Sequence, residues 1–296
     1  TAATEEWDFT STLAAGAWAS GGNINTTRTE IASAASGPQD ATSIFGGQVP
    51  PYSALHEQYD GSSWTEAADL NTARAFGGGV GIQTAALYIT GVQPGTDNDT
   101  EQWNGTSWTE VGDTNTVGKG SACSGTSTAC IKAGGADAPD RTANAETWNG
   151  STWTEGPNLN TATTYAGGAG TSTAALSMAG QVPGSPYVSD KNESYDGSSW
   201  TEVNDLNTAR YAAAGSFGVQ TAALYVGGTT DPPNRGNSEE YDGTTFTEGA
   251  DLSAARQTGA GSGATPSGLV AAGNTGSATN ATEEWTKAQN VKTITD

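Results

Sequence analysis

The sequence predicts an all-β fold built from repeated copies of one unit of about 45 residues. Two recurrent motifs predict the repeat: an aromatic residue followed by Thr-Glu, and an Asp-Gly or Asn-Gly pair between aromatic residues. The composition agrees, because the chain has 41 glycines, abundant Thr, Ser and Ala, and only 15% charged residues. Such a composition favours short strands and tight turns over long helices.

The aromatic residue of the first motif sets the length of the repeat. It stands at Trp64, Trp108, Trp153, Trp200 and Phe246, and Trp18 holds the same place in a degenerate first copy. Successive spacings are 46, 44, 45, 47 and 46 residues, which is typical of the four-stranded blades of a β-propeller. We predict that these six aromatics are structural and fill the wedge between neighbouring blades, which widens away from the ring axis.

Residues 211–246 show how one unit divides into four strands. A run of small residues after Tyr211 suits the crowded innermost strand. The second strand places Ala222, Leu224 and Val226 on one face by the period of two, and it ends in a Gly pair. The third and fourth strands meet at an Asp-Gly turn, which is the strongest short-range signal of a hairpin.

The order of these features resembles the kelch repeat, in which a strand ends in Gly-Gly and is followed by two spaced aromatics. The pattern occurs as Gly46-Gly47 with Tyr59 and Trp64 and as Gly227-Gly228 with Tyr241 and Phe246, Gly134-Gly135 keeps both glycines, and the copies around Gly91, Gly180 and Gly273 keep one. The resemblance spans nearly the whole chain and implies a single β-propeller over residues 1–296. The residue pattern of the repeat is also similar to that of propellers among the structural proteins of marine bacteriophages.

The number of inner strand pairs predicts six blades. These pairs span residues 31–47, 75–91, 120–135, 164–180, 211–228 and 257–273. The outer motif occurs a seventh time, because Ala-Thr-Glu-Glu-Trp stands at both Trp7 and Trp285, and the extra copy marks the place where the ring closes. We favour a closure in which the N-terminal segment 1–27 completes the last blade. The alternative is that residues 290–295 complete it.

Charge narrows the range of partners. With 11 basic and 32 acidic residues the formal net charge is -21, which repels a phosphate backbone, so we expect no nucleic-acid partner. No run of about 18 apolar residues occurs, so no membrane insertion is expected. The chain starts at Thr1 with no recognisable signal peptide, which indicates a processed product or a piece of a longer one.

The chain offers few residues for catalysis. Galactose oxidase shares the kelch motif, but its chemistry needs copper held by histidines and tyrosines, and His56 is the one histidine here. We interpret His56 as a solvated loop residue and expect no metal, no cofactor and no enzyme activity. Paired carboxylates for glycoside cleavage do not stand out among the scattered acids. Cys123 and Cys130 flank a short turn and are placed to face each other, either bonded or as two buried thiols.

Four arginines are the first candidates for ligand binding. Arg28, Arg74, Arg210 and Arg256 each follow a blade aromatic by ten residues, whereas the third and fourth blades have Gly118 and Thr163 at that place. In a closed ring these arginines would form an arc of guanidinium groups at one mouth of the channel. The alternative is that each one forms a structural ion pair with a repeated glutamate, such as Glu57 or Glu239.

The loops between second and third strands are the second candidate site, because they vary between blades and share the mouth face with the blade connections. We predict that Tyr52, Tyr187 and Arg235 contact a ligand there. The expected function is a non-enzymatic virion or extracellular protein that recognises a host-surface glycan or protein. The alternative is an architectural component that decorates or cements a phage particle by binding other virion proteins, and a glycan-active hydrolase ranks behind both.

Overall fold

The computed structural model describes residues 16–93, 98–137 and 140–287 of the chain. The strands within these ranges form six four-stranded antiparallel sheets, arranged as the blades of a β-propeller, as the repeats predicted. One 3₁₀ turn spans Gln39–Ala41. In the same ranges we find no helix with the length and apolar character needed to span a bilayer. Trp7 and residues 290–295, which entered the predictions of ring closure, lie outside the described residues.

The strands follow one order in every blade. The first described strand, β1 (Ala17–Ser20), belongs to the last blade. Blade 1 contains β2 (Ala32–Ser33), β3 (Ser43–Phe45), β4 (His56–Tyr59) and β5 (Trp64–Glu66), and blade 2 contains β6 (Gly78–Ile82), β7 (Ala85–Ile89), β8 (Thr100–Trp103) and β9 (Trp108–Val111). Blade 3 contains β10 (Ala122–Thr126), β11 (Ala129–Ala133), β14 (Ala145–Trp148) and β15 (Trp153–Glu155), with a short ribbon of β12 (Ala136–Asp137) and β13 (Asp140–Arg141).

The second half of the ring repeats this order. Blade 4 contains β16 (Gly167–Gly170), β17 (Ala175–Gln181), β18 (Val188–Tyr195) and β19 (Trp200–Val203), and blade 5 contains β20 (Gly215–Val219), β21 (Ala222–Val226), β22 (Ser238–Tyr241) and β23 (Phe246–Glu248). Blade 6 contains β24 (Ala260–Ala264), β25 (Ser267–Ala271), β26 (Thr282–Thr286) and, as its outermost strand, β1.

The N-terminal strand closes the ring. β1 pairs antiparallel with β26, and Trp18 lies opposite Trp285 with ring centroids 5.2 Å apart. The indole N–H of Trp18 also faces the hydroxyl of Ser238 at 2.9 Å and the carbonyl of Ala250 at 3.0 Å, both on blade 5. Blade 6 therefore has four strands, and its outer strand comes from the opposite end of the chain.

The first strand of each blade lines the channel, where neighbouring blades leave no room for side chains. A Cβ added to Gly79 of blade 2 would lie 2.2 Å from the Ser33 carbonyl oxygen of blade 1. One added to Gly168 would lie 2.3 Å from the carbonyl oxygen of Cys123. The small residues predicted for the innermost strand are thus required by close contact between blades.

Each second strand ends in two residues with left-handed backbone, which explains the Gly pairs. The first of the two has φ of 67° at Gly46 but is Thr90 in blade 2, with φ of 57°. The second is glycine in all six blades, and a Cβ on Gly47 would lie 2.8 Å from the carbonyl oxygen of Thr29. The first position thus tolerates a side chain at some strain, whereas backbone contact forbids one at the second.

The repeated aromatics occupy equivalent positions at the start of each fourth strand, and they pack on the preceding blade. Trp153 is 7% exposed, and its ring lies 5.5 Å from that of Trp148 on the same blade. The Trp153 indole N–H donates to the Thr100 hydroxyl of blade 2 at 3.2 Å, and the ring packs with Leu87 of that blade. Trp153 therefore joins blade 3 to blade 2.

Replacing one of these rings by alanine should leave a cavity between two blades. We expect Trp153→Ala to lower the free energy of unfolding by about 3–5 kcal/mol, because the ring is buried on both sides. Trp153→Phe is the matched control, since Phe246 fills the same place in blade 5. Thermal and urea unfolding followed by near-UV circular dichroism measure both variants. Equal stability of Trp153→Ala and the natural chain would contradict the packing role.

Candidate functional site

The four candidate arginines are buried between blades and paired with glutamates, so the predicted arc of ligand-binding guanidinium groups is corrected. Each is at most 1% exposed. Arg28 lies 2.9 Å from Glu57, Arg74 lies 3.0 Å from Glu101, Arg210 lies 2.7 Å from Glu239, and Arg256 pairs with Glu283. Burial lowers the pKa of the Arg28 guanidinium, and the carboxylate of Glu57 opposes that effect. Each of these arginines therefore forms a structural ion pair with a glutamate, which was the alternative interpretation of the sequence.

In the two blades without this arginine, the equivalent glutamate has other partners. In blade 3, Lys132 of the second strand lies 3.3 Å from Glu146 and takes over the pairing. In blade 4, Glu193 accepts hydrogen bonds from the backbone N–H and side-chain amide of Asn160, both at 2.8 Å, and from the N–H of Thr161. The glutamate is thus the constant element, and it ties each blade to the connection that precedes it.

Two further predictions are decided by burial and by strand register. His56 is buried in β4, against Trp103 and Trp108, so its assignment to a solvated loop was wrong. Burial lowers the pKa of His56 to about 4, so the ring is neutral near pH 7. Cys123 and Cys130 are free and buried, and they do not face each other, because Cys130 lies opposite Gly125. Among the described residues, no three His, Cys, Asp or Glu side chains form a group that could hold a metal ion.

One end of the channel collects the loops between second and third strands and the connections between blades. We call this end the mouth. In blade 3, Lys119 of the connection forms an isolated antiparallel β-bridge with Ala136 of the loop, and in blade 5 Tyr211 forms one with Thr229. The loop face and the channel opening are therefore one continuous surface.

Six equivalent residues form a closed circle of backbone hydrogen bonds around the mouth. They are Glu30, Phe76, Gly120, Tyr165, Ala212 and Thr258, one per blade connection, all with φ between 52° and 67°. Each N–H donates to the carbonyl of its counterpart one blade earlier, for example Tyr165 to Gly120 at 2.6 Å and Glu30 to Thr258 at 2.9 Å. Five of these residues are not glycine, and left-handed backbone at such residues is uncommon and is enriched at functional sites.

The channel below this circle is a small cavity of about 140 Å³ lined by residues of all six blades. Mostly Gly, Ala and Ser line it, and Glu30 is the one carboxylate among its described lining residues. At the far end Ser36 of blade 1 crosses the channel, because its hydroxyl donates to the carbonyl of Gly125 on blade 3 at 2.8 Å. Larger side chains with hydrogen-bonding or stacking capacity are concentrated at the mouth.

Non-repeated side chains meet at the mouth. We call them the mouth cluster: Glu30, Phe76, Lys119, Arg141, Tyr165, Tyr187 and Tyr211, all half-buried. The ring of Tyr165 lies 6.2 Å from Phe76 and 6.2 Å from Tyr211, which in turn lies 6.4 Å from Tyr187. The ammonium of Lys119 lies over the ring of Phe76, 5.5 Å from its centroid. Blades 2 to 5 thus present a row of aromatic rings bordered by cations.

Glu30 lies at the edge of this row in an environment that favours its neutral form. Burial raises its pKa to about 8, and this effect exceeds the opposite influences of the Thr258 hydroxyl and the Lys119 ammonium. Burial also raises the pKa of Tyr165 to about 12, and the charge of Glu30 adds to that rise. Near neutral pH both groups are therefore protonated and able to act as hydrogen-bond donors.

The predicted loop residues lie on this face but on different blades. Tyr187 belongs to the mouth cluster, whereas Tyr52 is on the loop of blade 1 and Arg235 is on the loop of blade 5, all half-buried. Sequence reasoning missed Phe76, Lys119, Tyr165 and Tyr211. One signal was available in the sequence. These residues stand at equivalent positions of the repeat, and the residue type at those positions differs between blades.

Comparison with known proteins concerns the fold alone. No protein-family model matches the sequence, and no curated protein is similar to it in sequence. Among 337 matching chains of solved structures is the structure of YjhT, with a TM-score of 0.71 and 12% sequence identity. The match covers 88% of this chain and 95% of that chain. Together with the sheet topology, this likeness shows that the chain is a six-bladed β-propeller of four-stranded blades.

Proposed function

We propose that this chain is a non-enzymatic recognition module of a virion or another extracellular assembly, and that it binds a host-surface glycan through the mouth. The observation that carries the proposal is the row of aromatic rings formed by Phe76, Tyr165, Tyr211 and Tyr187. Repeated aromatics are used to join blades, whereas these rings differ between blades and are only half-buried. Partly exposed aromatic faces of this kind can stack on sugar rings.

A binding role also fits the groups around the cavity. Cleavage of a glycosidic bond by the common mechanism needs two carboxyl groups about 5–9.5 Å apart. Glu30 is the one carboxylate among the described residues that line the channel cavity, so a second would have to come from elsewhere. The remaining lining is mostly small or aromatic, which suits the shape of a ligand better than acid and base catalysis.

The proposed location in a virion rests on the residue pattern of the repeat. The Gly-Gly strand ends and the paired outer aromatics support membership of the kelch class. The similarity of the Asp-Gly-Ser-Ser-Trp-Thr-Glu stretch to bacteriophage propellers favours a virion protein: a tail fibre if the chain binds a receptor, or a capsid decoration if its role is architectural. The architectural alternative would use the opposite end of the ring, where Ile82 is 43% and Val219 is 51% exposed.

Truncating two touching rings should separate the two roles. We expect Tyr187→Ala/Tyr211→Ala to weaken binding to a glycan array and to host cells at least tenfold, which corresponds to about 1.4 kcal/mol. The matched control is Ile82→Ser/Val219→Ser at the opposite end, which should bind normally. The triple variant Tyr52→Ala/Tyr187→Ala/Arg235→Ala tests whether the loops between second and third strands contribute to glycan binding. Binding that survives the ring truncations but is lost in the control would place recognition at the opposite end of the ring, and no binding by the natural chain would favour the architectural role.

A further inference from the structure

The cations of this very acidic chain are not distributed evenly. Arg28, Arg74, Lys132, Arg210 and Arg256 are buried in ion pairs, and Lys191 and Lys287 pair with carboxylates on the surface. Within the part of the chain that the structure describes, Lys119, Arg141 and Arg235 are the cations without a carboxylate in ion-pair contact. All three lie on the mouth face. Among the described residues of this protein of net charge -21, the positive charge without an ion-pair partner thus lies on one face.

Two of these cations point to the same side of one small ribbon. Lys119 lies opposite Ala136, and Ala136 lies opposite Arg141 on the next strand. Residues directly opposite each other in antiparallel strands project to one face. The two cations therefore flank the small side chain of Ala136, with their Cα atoms about 10 Å apart across two strand spacings. Asp140, the residue before Arg141, projects to the other face of the ribbon.

The neighbours of this pair suit an anion next to a ring. Arg141 donates to the amide oxygen of Gln181 on blade 4 at 3.0 Å, which fixes the guanidinium against that blade. Its buried Nε has no hydrogen-bond partner among the described residues, a property that it shares with the other five described arginines. The charge of Arg141 influences the pKa of Tyr165, so the cation and the aromatic row are close enough to act together.

We propose that the mouth cluster binds an acidic saccharide, with a carboxylate or sulfate group held between Lys119 and Arg141 above Ala136. The sugar ring then stacks on Tyr165 and Tyr211. This inference rests on the proposed glycan recognition and names the class of glycan. Charge-assisted hydrogen bonds to a planar guanidinium favour carboxylate and sulfate over uncharged hydroxyls.

Glu30 should make binding at this site depend on pH, because it is the one carboxylate among the described residues that line the channel cavity. The Thr258 hydroxyl of blade 6 forms a hydrogen bond with Glu30, and the Lys119 ammonium of blade 3 and the Tyr88 and Tyr165 phenols of blades 2 and 4 interact with it electrostatically. Below its raised pKa of about 8 the Glu30 side chain is neutral and does not repel an anion. Above that pH it ionises, so binding of an acidic saccharide should weaken, and Glu30→Gln should remove this loss.

The test uses three polymers and one matched charge control. Binding of the full chain to polygalacturonate, dextran sulfate and neutral dextran is measured by biolayer interferometry. We expect affinity for a carboxylated polymer, a sulfated polymer or both, little for dextran, and a loss of at least tenfold in Lys119→Gln/Arg141→Gln. Lys191→Gln/Lys287→Gln removes the same charge from surface ion pairs away from the cluster and should bind normally. The preference between the two acidic polymers distinguishes carboxylate from sulfate.

Three results would overturn the inference. Acidic polymers that bind the Lys119→Gln/Arg141→Gln variant as well as the natural chain would place the anion site elsewhere. Binding of neutral glycans together with no binding of either acidic polymer would refute the acidic class while leaving glycan recognition in place. Binding of no saccharide on the polymers or the array would refute both proposals. Unchanged melting temperatures of the variants show that any loss of binding is not a loss of folding.

Discussion

Removal of residues 1–20 should abolish the closed, cooperatively folded ring. Without β1, the edge of β26 is unpaired and Trp285, which is 0% exposed, loses the cover of Trp18. Exposure of one large aromatic face and loss of the strand and indole hydrogen bonds cost about 5 kcal/mol together, which is comparable to the whole stability of a small domain. An exposed strand edge also promotes association. Thermal unfolding and size-exclusion chromatography with light scattering measure both effects.

Removal of residues 290–296 is the matched control for ring closure, because blade 6 already has four strands. This shorter chain should melt like the full chain. A separate peptide of residues 1–20, the segment that was removed, should restore part of the stability when it is added to the truncated ring. The closure by β1 is refuted if the truncated chain remains monomeric and equally stable.

Arg28→Met should destabilise the fold by about 3–5 kcal/mol, because it leaves the buried carboxylate of Glu57 without its cation. The pair is completely buried, and Arg28 also donates to the carbonyl of Leu55 at 2.8 Å. The double variant Arg28→Met/Glu57→Gln should recover part of this loss, because no uncompensated charge remains. Unfolding by urea of both variants and of the single Glu57→Gln variant completes the cycle.

Lys191→Met is the control for the buried pair, because Lys191 forms ion pairs with Glu202 and Asp205 on the exposed outer surface. Solvent screens such pairs, so the melting temperature should stay within error. An effect of Arg28→Met as small as that of Lys191→Met would show that the buried pairs are not structural. Binding of glycans by a folded Arg28 variant should be unchanged.

The sequence predicted the fold well because each blade is a local pattern repeated six times. The Asp-Gly turns illustrate why: the carboxylate of Asp60 accepts the N–H groups of Ser62 and Ser63 at 2.9 and 2.8 Å, entirely within four residues. These hydrogen bonds, led by that from Ser63, lower the pKa of Asp60 to about 2. Turn, strand and aromatic positions of this kind depend on neighbours in the chain and are readable from one copy.

The side-chain contacts between blades could not be predicted from the sequence in the same way. Arg28 and Lys119 both occur in connections between blades, yet Arg28 is buried against Glu57 and Lys119 is half-buried over Phe76. His56 stands in a strand, and its burial results from Trp103 and Trp108 of the next blade. Such contacts join residues 29 to 52 positions apart, and no local sequence pattern shows which side of a blade each side chain faces.

The sequence by itself determined the all-β repeat, the six blades and the aromatics that join them, because each follows from spacing within or between identical units. Only the tertiary structure decided that the outer strand of blade 6 comes from β1 and that four arginines are neutralised in the interior. It also brought Phe76, Tyr165 and Tyr211 together, although they are separated by 46 to 135 residues. Curvature of the ring sets these distances, because each blade turns the chain back to the same axis and places equivalent residues side by side at the mouth.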